Sequence, residues 1–191
     1  MFNKLIKEST EAFGKEHQCI TLYEELSELE QAICKMLRFG WQGDDEQHNK
    51  IRDNFIEEMV DVINLYEWFL EELMNLTLEE VKKSMQEENL RKEFKELEAD
   101  KKILNNLIFF ISELKIDIAH TMDESSLEWR HDKEYSLCWC CIVLKYLLCF
   151  IEDDREESFT KDITMDKLQK WADYKHERNL KRIKEAMKNR E

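Results

Sequence analysis

YEELSELEQAICKMLRFGWQGDD, residues 23–45, carries two patterns at once. Leu26, Leu29 and Ile33, extended backwards by Leu22, recur at spacings of three and four, which lines up one apolar face of an α-helix. Glu25 and Glu28 lie against that stripe rather than opposite it, and Lys35, Arg38 and a glycine turn follow. Carboxylates beside a core are either flank charges without a task or ligands that point into a site.

The rest of the chain supports the helical half of this reading. Of 191 residues, 38% are charged and 42% hydrophobic, no proline occurs, and the only glycines are Gly14, Gly40 and Gly43. So few breakers among so much Glu, Lys and Leu predict an all-α fold, a helical bundle long enough to bury a real core. The pattern predicts helices over residues 2–13 and 20–39, then a turn in RFGWQGDDEQHNK. A third helix, capped by Asn49 or Asp53, is expected to run to about residue 75, with Phe55, Met59, Val62, Tyr66, Phe69 and Leu73 on one face. Thr77 opens a capping-box pattern, TLEE, and residues 79–102 are charge-dense with sparse apolar positions. Apolar helices are expected near 103–121 and 134–152, and a final one over about 165–191. The chain thus divides into a core carrying the acids, residues 1–78, and additional helices over 79–191, packed on the same domain.

A net charge of −14 argues against nucleic acid or an anionic membrane as a general partner, because either would repel the chain. The charge is uneven: residues 175–191 hold seven Lys/Arg and three Glu. A basic last helix also complements its own C-terminal dipole. Cys19, Cys34, Cys138, Cys140, Cys141 and Cys149 sit in apolar helical contexts and read as reduced thiols; CWCCIVLKYLLCF lacks the paired spacing that zinc needs and reads as buried core. Lys4, Lys7 and Glu8 interrupt the start before any apolar run, so no leader peptide and a cytoplasmic protein are expected. CWCCIVLKYLLCF is too short to span a bilayer and is broken by Lys145.

Starting from Glu, four acid pairs are spaced by three: Glu8/Glu11, Glu25/Glu28, Glu58/Asp61 and Glu93/Glu96. The outer two lie in charge-dense surroundings and read as solvated faces. The inner two flank apolar residues, and each stands about ten residues from the same turn. At about 1.5 Å per residue, an antiparallel hairpin brings both pairs to one level. Four converging carboxylates need a cation between them, and oxygen ligation suits Mg²⁺ first and Mn²⁺ second. A di-iron centre would need two Glu-x-x-His units, and only Asp117-Ile-Ala-His120 comes near. Lys35 falls seven residues after Glu28, on the same face, with Arg38 close behind. Metal on one part and cations on the rest suit a polyphosphate, although Lys35 and Arg38 would also complement the helix dipole.

EELSE (residues 24–28) followed by EEMVD (residues 57–61) resembles the E-E-x-x-E … E-x-x-D signature of the all-α nucleoside triphosphate pyrophosphohydrolases, a superfamily of MazG-like enzymes and dimeric dUTPases. AICKMLRFG, and Asn54 before FIEEMVD, look most like compact phage-type MazG-like members. The likeness covers about residues 20–70. More weakly, YKHERN and Arg182 resemble a Lys/Asn/Arg element formed here by Lys175, Asn179 and Arg182. The resemblance implies Mg²⁺-dependent hydrolysis of a (d)NTP to the monophosphate and pyrophosphate, in a homo-oligomer, dimer or tetramer. Glu25, Glu28, Glu58 and Asp61 would hold the metal, Glu24 would act as auxiliary base, and Lys35 and Arg38 would grip phosphates. Phe39, Trp41 or Asn64 would contact the base. Two rivals stay open: a base-selective dUTPase or dCTPase, and a non-catalytic acidic helical protein that binds a protein partner.

Overall fold

The computed structural model describes residues 10–40, 43, 45–73, 100–122 and 165–188. Those residues are helical almost throughout and contain no strand, so the all-α expectation holds. Four long helices carry them: α1 (Lys15–Phe39), α2 (Glu46–Leu73), α3 (Asp100–Met122) and α4 (Met165–Lys188). No described helix is long and apolar enough to cross a membrane.

α1 is the helix that organises the others. Its stripe of Leu22, Leu26, Leu29, Ala32, Ile33 and Met36 is buried, against α2 and α3. α2 contributes Phe55, Ile56, Met59 and Val62 to the core, and α3 contributes Ile103, Leu104, Leu107, Ile111, Leu114 and Ile118. The three-and-four spacing read from the sequence is thus the geometry that is buried. Fully burying one such aliphatic side chain stabilises by roughly 1.5–3 kcal/mol. α4 packs on α2 and also covers the chain start, where Ala12 and Ile183 bury each other beside Phe13 and Leu180.

Two helix starts differ from the sequence expectation. α1 begins at Lys15, five residues earlier than the apolar stripe suggested, directly after Gly14, whose N–H closes a helical turn on Thr10. α2 begins at Glu46, capped by Asp45 rather than by Asn49 or Asp53: the Asp45 carboxylate accepts from the N–H groups of Gln47 (2.9 Å) and His48 (3.0 Å). Asp45 was missed because it stands within a run of turn residues, where several positions offer the same cap chemistry.

The short connection makes α1 and α2 an antiparallel hairpin. Gly40 ends α1 at φ 84°, a left-handed conformation that side chains resist, and donates its N–H to the Met36 carbonyl. At Gly43 a Cβ would meet the His48 imidazole at 2.7 Å, so the ring needs a glycine beneath it. The expectations for residues 2–9, the Thr77 helix, the 79–99 connector, the 134–152 helix with its four cysteines, and the division at residue 78 lie outside the described residues.

Candidate functional site

The register of the hairpin places the inner acid pairs. Lys35 of α1 reaches Asn54 of α2, so positions further back on α1 face positions further along α2. Glu25 therefore meets Glu58 and Asp61, and one ligand oxygen from each lies within 4.8 Å of the others. Glu25 and Glu58 are half-buried, and Asp61 is buried at 7% exposure. The Oε2 atom of Glu25 is shut off from solvent. These three acids are held by apolar neighbours in the helices, Leu22 and Leu26 on one side and Met59 and Val62 on the other, all fully buried.

Glu28 does not join them. It is exposed and is not among the carboxylates that meet across the hairpin. Glu24 is likewise exposed, beside Glu25. The expected four-carboxylate set is a triad in this structure, with two further acids on the adjoining surface.

Like charges this close repel by roughly 3 kcal/mol per pair at an effective dielectric near 20. A bound cation turns that repulsion into attraction. The donor set is all oxygen and all anionic, which fits a hard divalent ion, Mg²⁺ or Mn²⁺.

Beside the triad opens a pocket of about 590 Å³ lined by Lys35, Phe39, Glu46, Gln47, Lys50, Ile51 and Asn54. Asn54 joins the two features. It accepts from the Lys35 ammonium at 2.9 Å and donates its amide N–H to Glu58 Oε1 at 2.7 Å. The rest of the wall is mixed: Phe39, 49% exposed, and Ile51 give an aromatic and an aliphatic surface beside the polar Glu46, Gln47 and Lys50. Lys50 pairs with Glu46 at 2.6 Å along the helix.

At the pocket end Gly43 and Asp45 are tied to α2. Arg52, buried at 8% exposure, donates to the Gly43 carbonyl at 2.8 Å and also to Asn49 Oδ1. The His48 ring contacts the Asp45 carboxylate at 2.6 Å. Asp45 is held below the usual carboxylate range, chiefly by the His48 backbone N–H and next by the His48 side chain.

Two of the remaining expected site residues are described. Arg38 is exposed, its guanidinium 5.0 Å from the Phe39 ring centre, and is not among the residues lining the pocket. Arg182 is exposed on α4. Asn64 lies on α2, and Lys175 and Asn179 on α4, but their side chains and Trp41 lie outside the described residues. Sequence reasoning missed Lys50, the Asn54 bridge and the Arg52 clamp. The Asn54 bridge had a usable signal: it stands four residues before Glu58, the spacing of side chains that meet on a helix.

No family model, curated protein or solved structure matches this chain.

Proposed function

We propose that the chain is a Mg²⁺-dependent nucleoside triphosphate pyrophosphohydrolase, converting (d)NTP to (d)NMP and pyrophosphate. On this reading it is an all-α enzyme of the MazG-like kind that its EELSE and EEMVD segments resemble. One observation carries the proposal: Glu25, Glu58 and Asp61 form a shielded carboxylate triad, hydrogen-bonded through Asn54 to a lysine-lined pocket. Motifs that lie 30 residues apart in the sequence thus meet at one place where a cation and a polyphosphate would be neighbours.

Glu25, Glu58 and Asp61 would hold the ion, with Glu28 and Glu24 within a turn on the outer surface. When bound, Mg²⁺ or Mn²⁺ supplies stabilisation of the charge that develops on the phosphoryl oxygens. The chain's own groups do the rest. Lys35 offers ammonium donors to phosphate oxygens at the pocket edge, and Phe39 and Ile51 offer apolar surface to a base or sugar. Glu24, exposed and next to Glu25 in the chain, would act as the auxiliary base for the attacking water, as the resemblance implies. Among the described residues the pocket lining comes from one hairpin alone, and the resemblance implies a homo-oligomer, dimer or tetramer.

A panel of (d)NTPs assayed for pyrophosphate release, with Mg²⁺, Mn²⁺ or chelator, tests the proposal. Metal-dependent release by the wild-type chain, lost in Asp61→Asn, is expected. Turnover confined to dUTP or dCTP would narrow it to a base-selective enzyme. A folded chain inert on every triphosphate would overturn it in favour of a non-catalytic acidic binding protein.

A further inference from the structure

Asn54 is a hydrogen-bond relay with two directions. Its carbonyl oxygen is committed to Lys35 on the other helix, 19 residues away in sequence, and this fixes which way the amide faces. Only in that orientation does Nδ2 point its N–H at Glu58 Oε1. Asn54 and Glu58 are both half-buried, so solvent competes less for the bond between them than for the one to Lys35, which is exposed. An Asn and a Glu four apart on a helix form such a bond often, and by itself it is a weak constraint. Here the cross-helix lysine adds a second constraint, and the acceptor is one of three carboxylates that face one another.

We propose that the Lys35–Asn54 pair is a positioning device for the cation site: it holds the Glu58 carboxylate at a set torsion before an ion arrives. The inference rests on the reading of Glu25, Glu58 and Asp61 as metal ligands and adds residues that touch no ion. Without the pair, Glu58 loses one of the contacts that set its torsion, and part of the cost of ordering it moves to the binding step. The lysine also serves the pocket, since an ammonium has three donors and Asn54 takes one. An anion in the pocket and a cation at the triad therefore share a residue chain, Lys35, Asn54 and Glu58, through which each alters the other's affinity.

The test is calorimetric titration of the full chain with Mn²⁺ alone, for wild type, Asn54→Leu, Asn54→Ala, Lys35→Met and the Lys35→Met/Asn54→Leu double variant. Helicity and Tm are recorded for each. Removing Asn54 is expected to weaken Mn²⁺ by about 10–100-fold, the usual loss when a ligand's outer partner is deleted, with Tm almost unchanged. Lys35→Met also removes a positive charge, which by itself tightens cation binding. That electrostatic contribution is the same in both backgrounds and cancels in the double-mutant cycle, leaving the relay. The expected result is non-additivity of at least about threefold. Wild type that takes up no Mn²⁺ would overturn both the metal site and this proposal. Wild type that binds Mn²⁺, with Asn54→Leu and Asn54→Ala equal to it, would overturn the positioning role alone, as would strict additivity of the cycle.

Discussion

Glu25 and Glu30 are half-buried glutamates on the same helix, five residues apart, and they meet opposite company. Glu30 faces α3, where Lys115 reaches it at 3.0 Å and the Ser112 hydroxyl contacts it at 3.5 Å. Lys115 also lies 5.1 Å from the centre of the Tyr23 ring, so one lysine serves two residues of α1. Glu25 faces α2, which presents two more acids. A seam that serves stability matches an acid with a base. A seam that gathers acids gives up stability there, and the local helix sequence alone does not reveal which seam a glutamate faces. The partner helix decides it.

The sharpest way to break this comparison is to neutralise one acid on each seam. Asp61→Asn and Glu58→Gln are expected to lower turnover by several kcal/mol of transition-state stabilisation, about 100–1,000-fold, while circular dichroism stays helical. Their Tm is expected to hold or rise, because a like-charge contact is relieved. Glu30→Gln is expected to do the reverse: turnover unchanged, stability lower by about 1 kcal/mol or less in thermal or urea unfolding. Near-full activity in Asp61→Asn would erase the distinction between the seams.

Lys35 and Arg38 sharpen the same contrast on the cationic side. Lys35 lines the pocket, whereas Arg38 lies by the Phe39 ring outside the pocket's lining. Lys35→Ala is expected to weaken a non-hydrolysable triphosphate by about 1.5–3 kcal/mol, the worth of a charge-assisted hydrogen bond. Arg38→Ala is expected to leave that affinity in place and to cost about 0.3–1 kcal/mol of stability at the helix end. Equal losses of affinity in both variants would show that Arg38 turns into the pocket when a nucleotide binds.

What the sequence made legible follows from what is periodic. The stripe from Leu22 to Ile33 and the α2 residues Phe55, Met59 and Val62 are buried as their spacing required. Counting residues from the turn brings the pair Glu25/Glu28 level with Glu58/Asp61, because helix rise is uniform, and of the first pair Glu25 is the one that meets them. Rotation about the axis was harder. Glu28 shares the apolar flank in one dimension, yet its direction depends on where α2 lies around α1, which no single-helix pattern contains. Asp45, Asn54 and Arg52 act through turn geometry and cross-helix reach. Their roles exist only once Gly43 and Asn49 are in place to meet Arg52, and Lys35 to meet Asn54.

Cysteines give a smaller version of the contrast between the two sides of α1. Cys19 is buried and Cys34 is exposed. Burial first, and Glu16 next, push the Cys19 thiol up to about 11 against a small opposing effect of Lys15. The folded state then holds this proton more tightly than the unfolded chain, so stability is full below pH of about 9 and falls as pH rises towards 11. Cys19→Ser is expected to flatten that alkaline decline. At pH near 8, alkylation of the native chain followed by peptide mapping is expected to label Cys34 and spare Cys19. Equal labelling of the two would show that α1 opens at its N-terminal end.

The smallest expected effect concerns Asp45, an exposed carboxylate whose company is the opposite of Glu25's. It accepts two backbone N–H bonds and contacts the His48 ring, and these lower its pKa. Because the folded value is the lower one, the stabilisation is fully present above the unfolded value of about 3.9. It is lost as pH falls through the folded value. Asparagine caps a helix about as well as aspartate but does not titrate there. Asp45→Asn is therefore expected to keep the neutral-pH Tm close to wild type and to make the acid limb of unfolding shallower. Asp45→Ala is expected to lower Tm at every pH, since it removes the cap itself. Tm measured from pH 7 down to pH 3 distinguishes the two: an acid limb in Asp45→Asn as steep as in wild type would mean that the cap, unlike the triad, owes nothing to its charge.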